Sequence, residues 1–285
     1  MNQIVVNGCP IEYTTTGTTG PIVVLLHGLL MNETLWAGVV ADLSTDHQCI
    51  VPTLPMGAHR QPAPPDFDLS LAGLARLVAE FITELDLDNV VLVGNDTGGA
   101  LAQLVVASGY ERIARLVLVS CEAFDNIPPG LTGKTLFLTG RLPPVLFGAF
   151  MQQLRLKPLR RLPISFGWLT KRGDHTVRQW LRPLLTSHAI RRDAVRLLRA
   201  ANRERTILDD ITSQLATVQV PALIVWARND KVMPPEHGHR LAELLPNTQH
   251  IEIDDTRTLI PLDQPQQLAS SMRAFITNAA HPPTR

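Results

Sequence analysis

V-V-L-V-G-N-D-T-G-G-A-L-A-Q-L-V-V-A, from Val90 to Ala107, joins a short branched apolar run to a glycine-rich turn and then to a helix of small residues. Val90 to Val93 has the composition of a central strand buried on both faces. Gly94, Gly98 and Gly99 remove side chains where the backbone reverses and where the helix lies against the strand. Asp96 stands at the tip of the turn, its side chain forced out of the sheet beside the first free N–H groups of the next helix. The turn therefore presents a carboxylate as its reactive group.

Outward from this turn the chain alternates strands and helices. Ile4 to Val6 and Ile11 to Thr15 flank Asn7-Gly8 as a hairpin, and Pro21 to Leu26 is an apolar strand ending in His27-Gly28-Leu29-Leu30. A helix is expected around Leu35 to Leu43 and a strand near Cys49 to Val51. Asp68 or Ser70 caps a helix reaching about Leu85, with Leu71, Leu74, Leu77, Val78, Phe81 and Ile82 on one face. Ile113 to Ser120 is a further strand. From Phe124 onward, prolines at 128, 129, 143, 144, 158, 163 and 183 and basic amphipathic runs such as Ala189 to Asn202 replace the strands. The rhythm resumes with a strand at Val220 to Ala227, a helix near Pro235 to Leu245, a strand at His250 to Ile253 and a helix from about Pro265 to Asn278. The predicted architecture is α/β, a mostly parallel sheet with helices on both faces. Residues 1–123 and 207–285 form its core, and residues 124–206 form an inserted helical cap.

With 285 residues, 45% of them hydrophobic and 18% charged, the chain has enough apolar material for one large core. Cys9, Cys49 and Cys121 are sparse and lack metal-like spacing, which fits a reducing compartment. No basic-then-apolar leader opens the sequence, and no apolar run approaches the roughly 18 residues that span a bilayer. A cytoplasmic location and no membrane partner are expected. The formal net charge of zero conceals a segregation: residues 124–206 hold 16 Lys and Arg against 4 Asp and Glu, and the remainder 10 against 22. Arginine stems lying along apolar surface account for such a segment. The sharper reading is a basic cap that steers an anionic ligand or an acidic partner protein. No recognition motif accompanies the charge, so nucleic acid is not expected, and a monomer or homodimer is.

The Gly94–Gly99 turn, the His27-Gly28 turn, the helical insertion and the run W-A-R-N-D-K-V-M-P from Trp226 to Pro234 together resemble the α/β-hydrolase superfamily over nearly the whole chain. The resemblance implies an eight-stranded, mostly parallel sheet with Asp96 at the nucleophile elbow. It implies Asp230 as the acid of a triad, and the backbone N–H groups of Leu29 and Thr97 as an oxyanion hole. The family places Gly-His a few residues before an acidic residue and proline. Counting back from Asp263 and Pro265, those positions hold Arg257-Thr258. His250 falls too early and His281 in the tail, so the histidine is missing.

That absence has chemical weight. An aspartate nucleophile forms an ester with its substrate, and the histidine activates the water that cleaves it. Losing such a base removes about 10² to 10⁴ in rate. Related Asp-elbow enzymes also fit poorly. Tyr13 and Tyr110, the only tyrosines, lie outside the cap where epoxide hydrolases carry theirs. Thr97 stands where haloalkane dehalogenases carry tryptophan, and D-T-G-G-A replaces the D-R-x-x-R of fluoroacetate dehalogenases. The favoured reading is non-hydrolytic acid–base chemistry at Asp96, of the lyase, cyclase or isomerase type, on a small carbonyl-containing or anionic substrate. In this reading Asp230 approaches Asp96 through the space the histidine leaves, and the two carboxylates raise one pKa. Arg257 is a candidate charge partner for either carboxylate, His27 a structural ligand of nearby backbone, and Trp168 and His188 candidate pocket residues from the cap. No cofactor motif is present. A divergent hydrolase with Asp96 as nucleophile, and a non-catalytic small-molecule binder, are the alternatives.

Overall fold

The computed structural model describes residues 1–278, so His281 lies outside the described residues. β1 (Asn2–Val6) and β2 (Cys9–Thr16) form the expected hairpin, with Asn7 and Gly8 both at positive φ. β3 (Ile22–Leu26), β4 (Gln48–Thr53), β5 (Val90–Asp96), β6 (Ile113–Cys121), β7 (Ala222–Ala227) and β8 (Thr248–Ile253) complete one sheet in the order β1-β2-β4-β3-β5-β6-β7-β8. β2 pairs antiparallel with β1 and β4, and every pairing from β4 onward is parallel. Flanked by β3 and β6, β5 is buried at all seven positions, which is why its sequence shows no polar alternation.

Strand order reverses at this centre. From β3 the chain moves to β4 on one side, and the later strands build outward on the other side, beginning with β5. Such a switch point leaves a crevice at the C-terminal ends of the two central strands. The turns after β3 and β5, carrying Leu29 and Asp96, both open into it.

The helices follow the apolar patterning. A 3₁₀ turn at Glu33–Trp36 leads into α1 (Ala37–Leu43), where the sequence predicts one continuous helix. Asn32 caps that turn by accepting from Thr34 N–H, tightening the first residues. Ser70 Oγ accepts from Gly73 N–H at 3.0 Å and starts α2 (Leu71–Glu84), whose predicted apolar face is buried. α3 (Thr97–Ala107) packs directly behind β5. A Cβ on Gly98 would lie 2.3 Å from the carbonyl oxygen of Leu26, so only glycine lets this helix approach β3.

Between β6 and β7 the described chain is helical: α4 (Gly130–Thr139), α5 (Pro144–Met151), α6 (Lys157–Arg160), α7 (Asp174–Thr186) and α8 (His188–Ala201), then single turns α9 (Ile207–Asp210) and α10 (Thr212–Leu215). α11 (Pro235–Leu244), the turn α12 (Ile260–Asp263) and α13 (Pro265–Asn278) finish the fold.

Much of the basic charge in this insertion is spent on internal bonds. Arg160, 2% exposed, forms a two-pronged pair with Asp174 at 3.0 and 2.7 Å and donates to the Leu154 carbonyl at 2.7 Å. Fully buried Asp193 on α8 accepts from Ala63 N–H, Arg192 and Arg196, and lies 3.4 Å from His59 Nε2, which fastens the insertion to the loop after β4. Buried Asp263 accepts from the N–H groups of Lys171, Arg172 and Arg257 and from the Thr170 hydroxyl, joining the insertion to the segment after β8.

Candidate functional site

Asp96 ends β5 with φ 56° and ψ −132°, a conformation a non-glycine residue holds only when its surroundings enforce it. Its Oδ1 accepts from Thr97 N–H at 2.8 Å and from Leu29 N–H at 3.2 Å, and Thr97 Oγ1 lies 3.1 Å away. The two backbone donors expected to form an oxyanion hole do converge on one point. That point is occupied by the elbow's own carboxylate oxygen, so the donors are not open to a substrate. Gly28 clears the space, since a Cβ there would sit 2.2 Å from Oδ1. Oδ2 makes no hydrogen bond with the protein and is not sealed from the surface.

The second carboxyl group at this point is Glu122, not Asp230. Asp96 pairs in register with Cys121, the last residue of β6, which places the next residue beside the elbow. Thr97 Oγ1 lies 2.9 Å from Glu122 Oε1, so one hydroxyl bridges two buried carboxyl groups. A hydroxyl carries a single proton, so Thr97 bonds both carboxyl groups fully only where one of them is protonated and donates to it. Asp96 has two backbone N–H donors to stabilise a charge. Glu122 Oε2 is buried with no partner, which a neutral carboxyl tolerates far better than an anion. Burial, then the nearby Asp96 charge, pushes the Glu122 carboxyl well above its usual range. Burial also raises Asp96, opposed by the N–H and hydroxyl of Thr97 and by Leu29 N–H. A chain of two hydrogen bonds, from a neutral Glu122 to Thr97 and from Thr97 to an anionic Asp96, is one arrangement that satisfies all three groups.

Asp230 stands apart from this chain. Its Oδ1 accepts from Val232 N–H, Met233 N–H and the Thr258 hydroxyl, all at 2.9–3.0 Å, and Oδ2 is buried without a partner. Burial raises its pKa to about 6. Thr258, at the position of the family's histidine, is fully buried and directs its hydroxyl at Asp230. The expected approach of Asp230 to Asp96 does not occur, because Thr258 supplies a donor and fixes the aspartate to its own turn.

Arg257 pairs with neither carboxylate. Its guanidinium stacks on the Trp168 ring at 3.9 Å and donates to the Trp168 carbonyl at 2.8 Å. Trp168 is thereby held in a separate surface depression with Lys171, Asp255 and Arg257. His188 is exposed at the start of α8; neither it nor Trp168 lines the cavity over Asp96. His27 is structural: Nδ1 bonds the Gly28 carbonyl at 2.8 Å, Nε2 accepts from Leu54 N–H at 2.9 Å, and burial lowers its pKa to about 4. Asn95, which sequence reasoning passed over, donates to the carbonyls of Val119, Ser120 and Thr258 and ties the elbow to the end of β6 and to the segment after β8.

Asp96, Thr97 and Glu122 form the floor of a narrow cavity with about 40 Å³ of free space. Its walls are apolar, with Leu29, Ile127 and Val232 beside the floor and Leu136, Phe137 and Phe166 from the insertion.

A parallel sheet with a carboxylate at a strand–helix elbow, under an apolar cavity closed by inserted helices, is the layout of an α/β enzyme. The sequence profile described as alpha/beta hydrolase fold matches residues 21–265, and the chain belongs to that family. It is 25% identical over 279 residues to the cis-3-alkyl-4-alkyloxetan-2-one decarboxylase of Shewanella oneidensis, covering 95% of this chain and 86% of that protein. It is 23% identical over 265 residues to haloalkane dehalogenase 2 of Mycobacterium tuberculosis, with coverage of 92% and 90%. An esterase from Thermogutta terrifontis superposes with a TM-score of 0.73 at 22% identity, over 98% of this chain and 99% of its own. At that identity the shared property is the fold. Members of this family are generally enzymes, and the relatives include dehalogenases and a decarboxylase.

Proposed function

We propose that the protein is an α/β-hydrolase-fold enzyme that moves a proton on a small, uncharged, carbonyl-containing substrate, with Asp96 as base and Glu122 as its neutral, proton-holding partner. The observation that carries this reading is the Asp96–Thr97–Glu122 bridge, two buried carboxyl groups sharing one hydroxyl beneath an apolar cavity. Environments that separate the protonation of two carboxyls assign one as base and the other as acid. Asp96 Oδ2 takes a proton from carbon beside the carbonyl and returns it to another atom of the same molecule. Thr97 keeps the Glu122 proton within reach of the site. Among the described residues the lining contains no lysine, arginine or histidine to balance an anion, so the uncharged alternative of the two substrate classes expected from sequence is the one proposed.

A second reading draws on one feature of the elbow. With Oδ1 anchored by Leu29 and Thr97, Oδ2 is presented as a carboxylate nucleophile would be. The resulting ester would persist, because Thr258 is no base for water. Intact-mass spectrometry during incubation with aliphatic ketones, esters, β-lactones and haloalkanes separates the two. Turnover of a carbonyl compound with no gain in protein mass is expected. A lasting adduct that is absent from Asp96→Asn would overturn the acid–base reading, and so would saturable binding without product.

A further inference from the structure

Ten large hydrophobic residues are conspicuously exposed among the described residues, and eight of them lie between positions 131 and 164. Leu131, Leu138, Val145, Leu146 and Leu156 are each more than half exposed. Leu131 and Leu138 sit two turns apart on the outer face of α4, with exposed Lys134 between them. Leu142, Val145 and Leu146 continue the surface through the following turn and into α5, next to exposed Arg141. From Asn126 to Gly173 the chain has eight Lys and Arg and not one Asp or Glu. Of these cations Arg160, Lys171 and Arg172 are committed to carboxylates, while among the described residues Lys134, Arg141, Arg155, Lys157 and Arg161 form no ion pair, although Lys157 and Arg161 lie near Asp174.

The inner face of the same helix walls the cavity. Thr132, Gly133, Leu136 and Phe137 of α4 line the space over Asp96. Thr132, Leu136 and Phe166 also line a second small apolar cavity, with about 40 Å³ of free space, and exposed Ile164 is part of its lining. One helix therefore separates an apolar surface on the outside from two adjoining apolar cavities on the inside.

We propose that the α4–α5 face is a docking surface for an anionic phospholipid bilayer, through which the cavity draws a lipophilic substrate. Aliphatic side chains interspersed with cations suit the acyl–headgroup boundary, where apolar area and attraction to anionic lipid add. The absence of any carboxylate over this stretch removes repulsion from the headgroups. A symmetric pairing of two copies through this face would set the same cations against each other, which disfavours self-association as the occupant. This docking differs from spanning: no described helix is long and apolar enough to cross a membrane. The substrate clause rests on the reading of the cavity given above, whereas docking itself requires no turnover, so the two fail separately.

The test is co-sedimentation of the full chain with phosphatidylcholine vesicles, plain or with one lipid in three replaced by phosphatidylglycerol. Binding is expected to the anionic vesicles and to be at least about tenfold weaker to plain ones or in high salt. The Leu131→Asp/Leu138→Asp/Val145→Asp variant changes exposed positions outside both cavities. It and Lys134→Glu/Arg141→Glu are each expected to lose roughly tenfold or more in binding at unchanged melting temperature. Wild type left in the supernatant with anionic vesicles overturns the proposal. Equal binding by wild type and both variants does the same. A dimer or a complex with an acidic protein that the triple variant abolishes, without vesicle binding, assigns the face to that partner instead.

Discussion

Asp96→Asn is expected to lower turnover of a carbonyl substrate by roughly 10²- to 10⁴-fold, the range for loss of a positioned general base, without lowering the melting temperature. The separation of the two effects is the informative part. Asparagine keeps an Oδ1 that accepts from Thr97 and Leu29 N–H, so the strained elbow retains its closing bonds. Removing a buried charge also removes a desolvation cost that these hydrogen bonds only partly offset. A loss of activity accompanied by unfolding would point to a structural carboxylate. Full activity would show that the chemistry lies elsewhere. Steady-state kinetics and thermal melting on the same preparation decide among these outcomes.

Glu122→Gln is expected to reduce turnover by about 10²-fold and to make stability less dependent on pH. Glutamine fills the same space, yet its amide is a weaker donor to Thr97 Oγ1 than a carboxyl, so the hydrogen-bond support of Asp96 is reduced. The sign of the stability effect follows from the raised pKa of Glu122. Above the unfolded value of roughly 4.3, the native state holds a proton that the unfolded chain has released. Stability is then fully present at low pH and falls as pH rises towards the folded-state pKa. The glutamine variant lacks this term, so its advantage in melting temperature over wild type should be absent near pH 4 and grow towards pH 8. An advantage that grows on acidification would contradict the assignment. Asp230, raised to about 6, adds a smaller loss in the same direction that is common to both proteins and cancels in the comparison.

The fold and the elbow were legible in sequence because each rests on local rules. Branched apolar runs mark buried strands, and glycines at 94, 98 and 99 mark a turn against which a helix packs. The missing histidine was equally legible, since it depends only on counting back from Pro265. The partner of Asp96 was not. Glu122 follows an apolar strand, where an acidic residue ordinarily reads as a solvated strand end. Its importance arises from the parallel register of β5 and β6, which brings Asp96 opposite Cys121. The available signal was that neighbouring parallel strands end at one edge of the sheet, so the residue after β6 belongs beside the residue ending β5. Arg257 failed as a charge partner for a related reason. Its alternative partner, the Trp168 ring, comes from the insertion 89 positions earlier, and no local pattern reports that contact. Thr258, where the resemblance leads one to expect a histidine, directs its hydroxyl at Asp230, a contact that counting along the sequence does not report.

The central claim is that Glu122 holds a proton beside anionic Asp96, and carbon-13 NMR of the labelled glutamate carboxyl, assigned with Glu122→Gln, tests it directly. The expected result is a Glu122 resonance that stays in the protonated form well above the ordinary glutamate range. A midpoint near the ordinary glutamate value of about 4.3 would contradict the account. Thr97 would then face two anions, and the site would hold no stored proton.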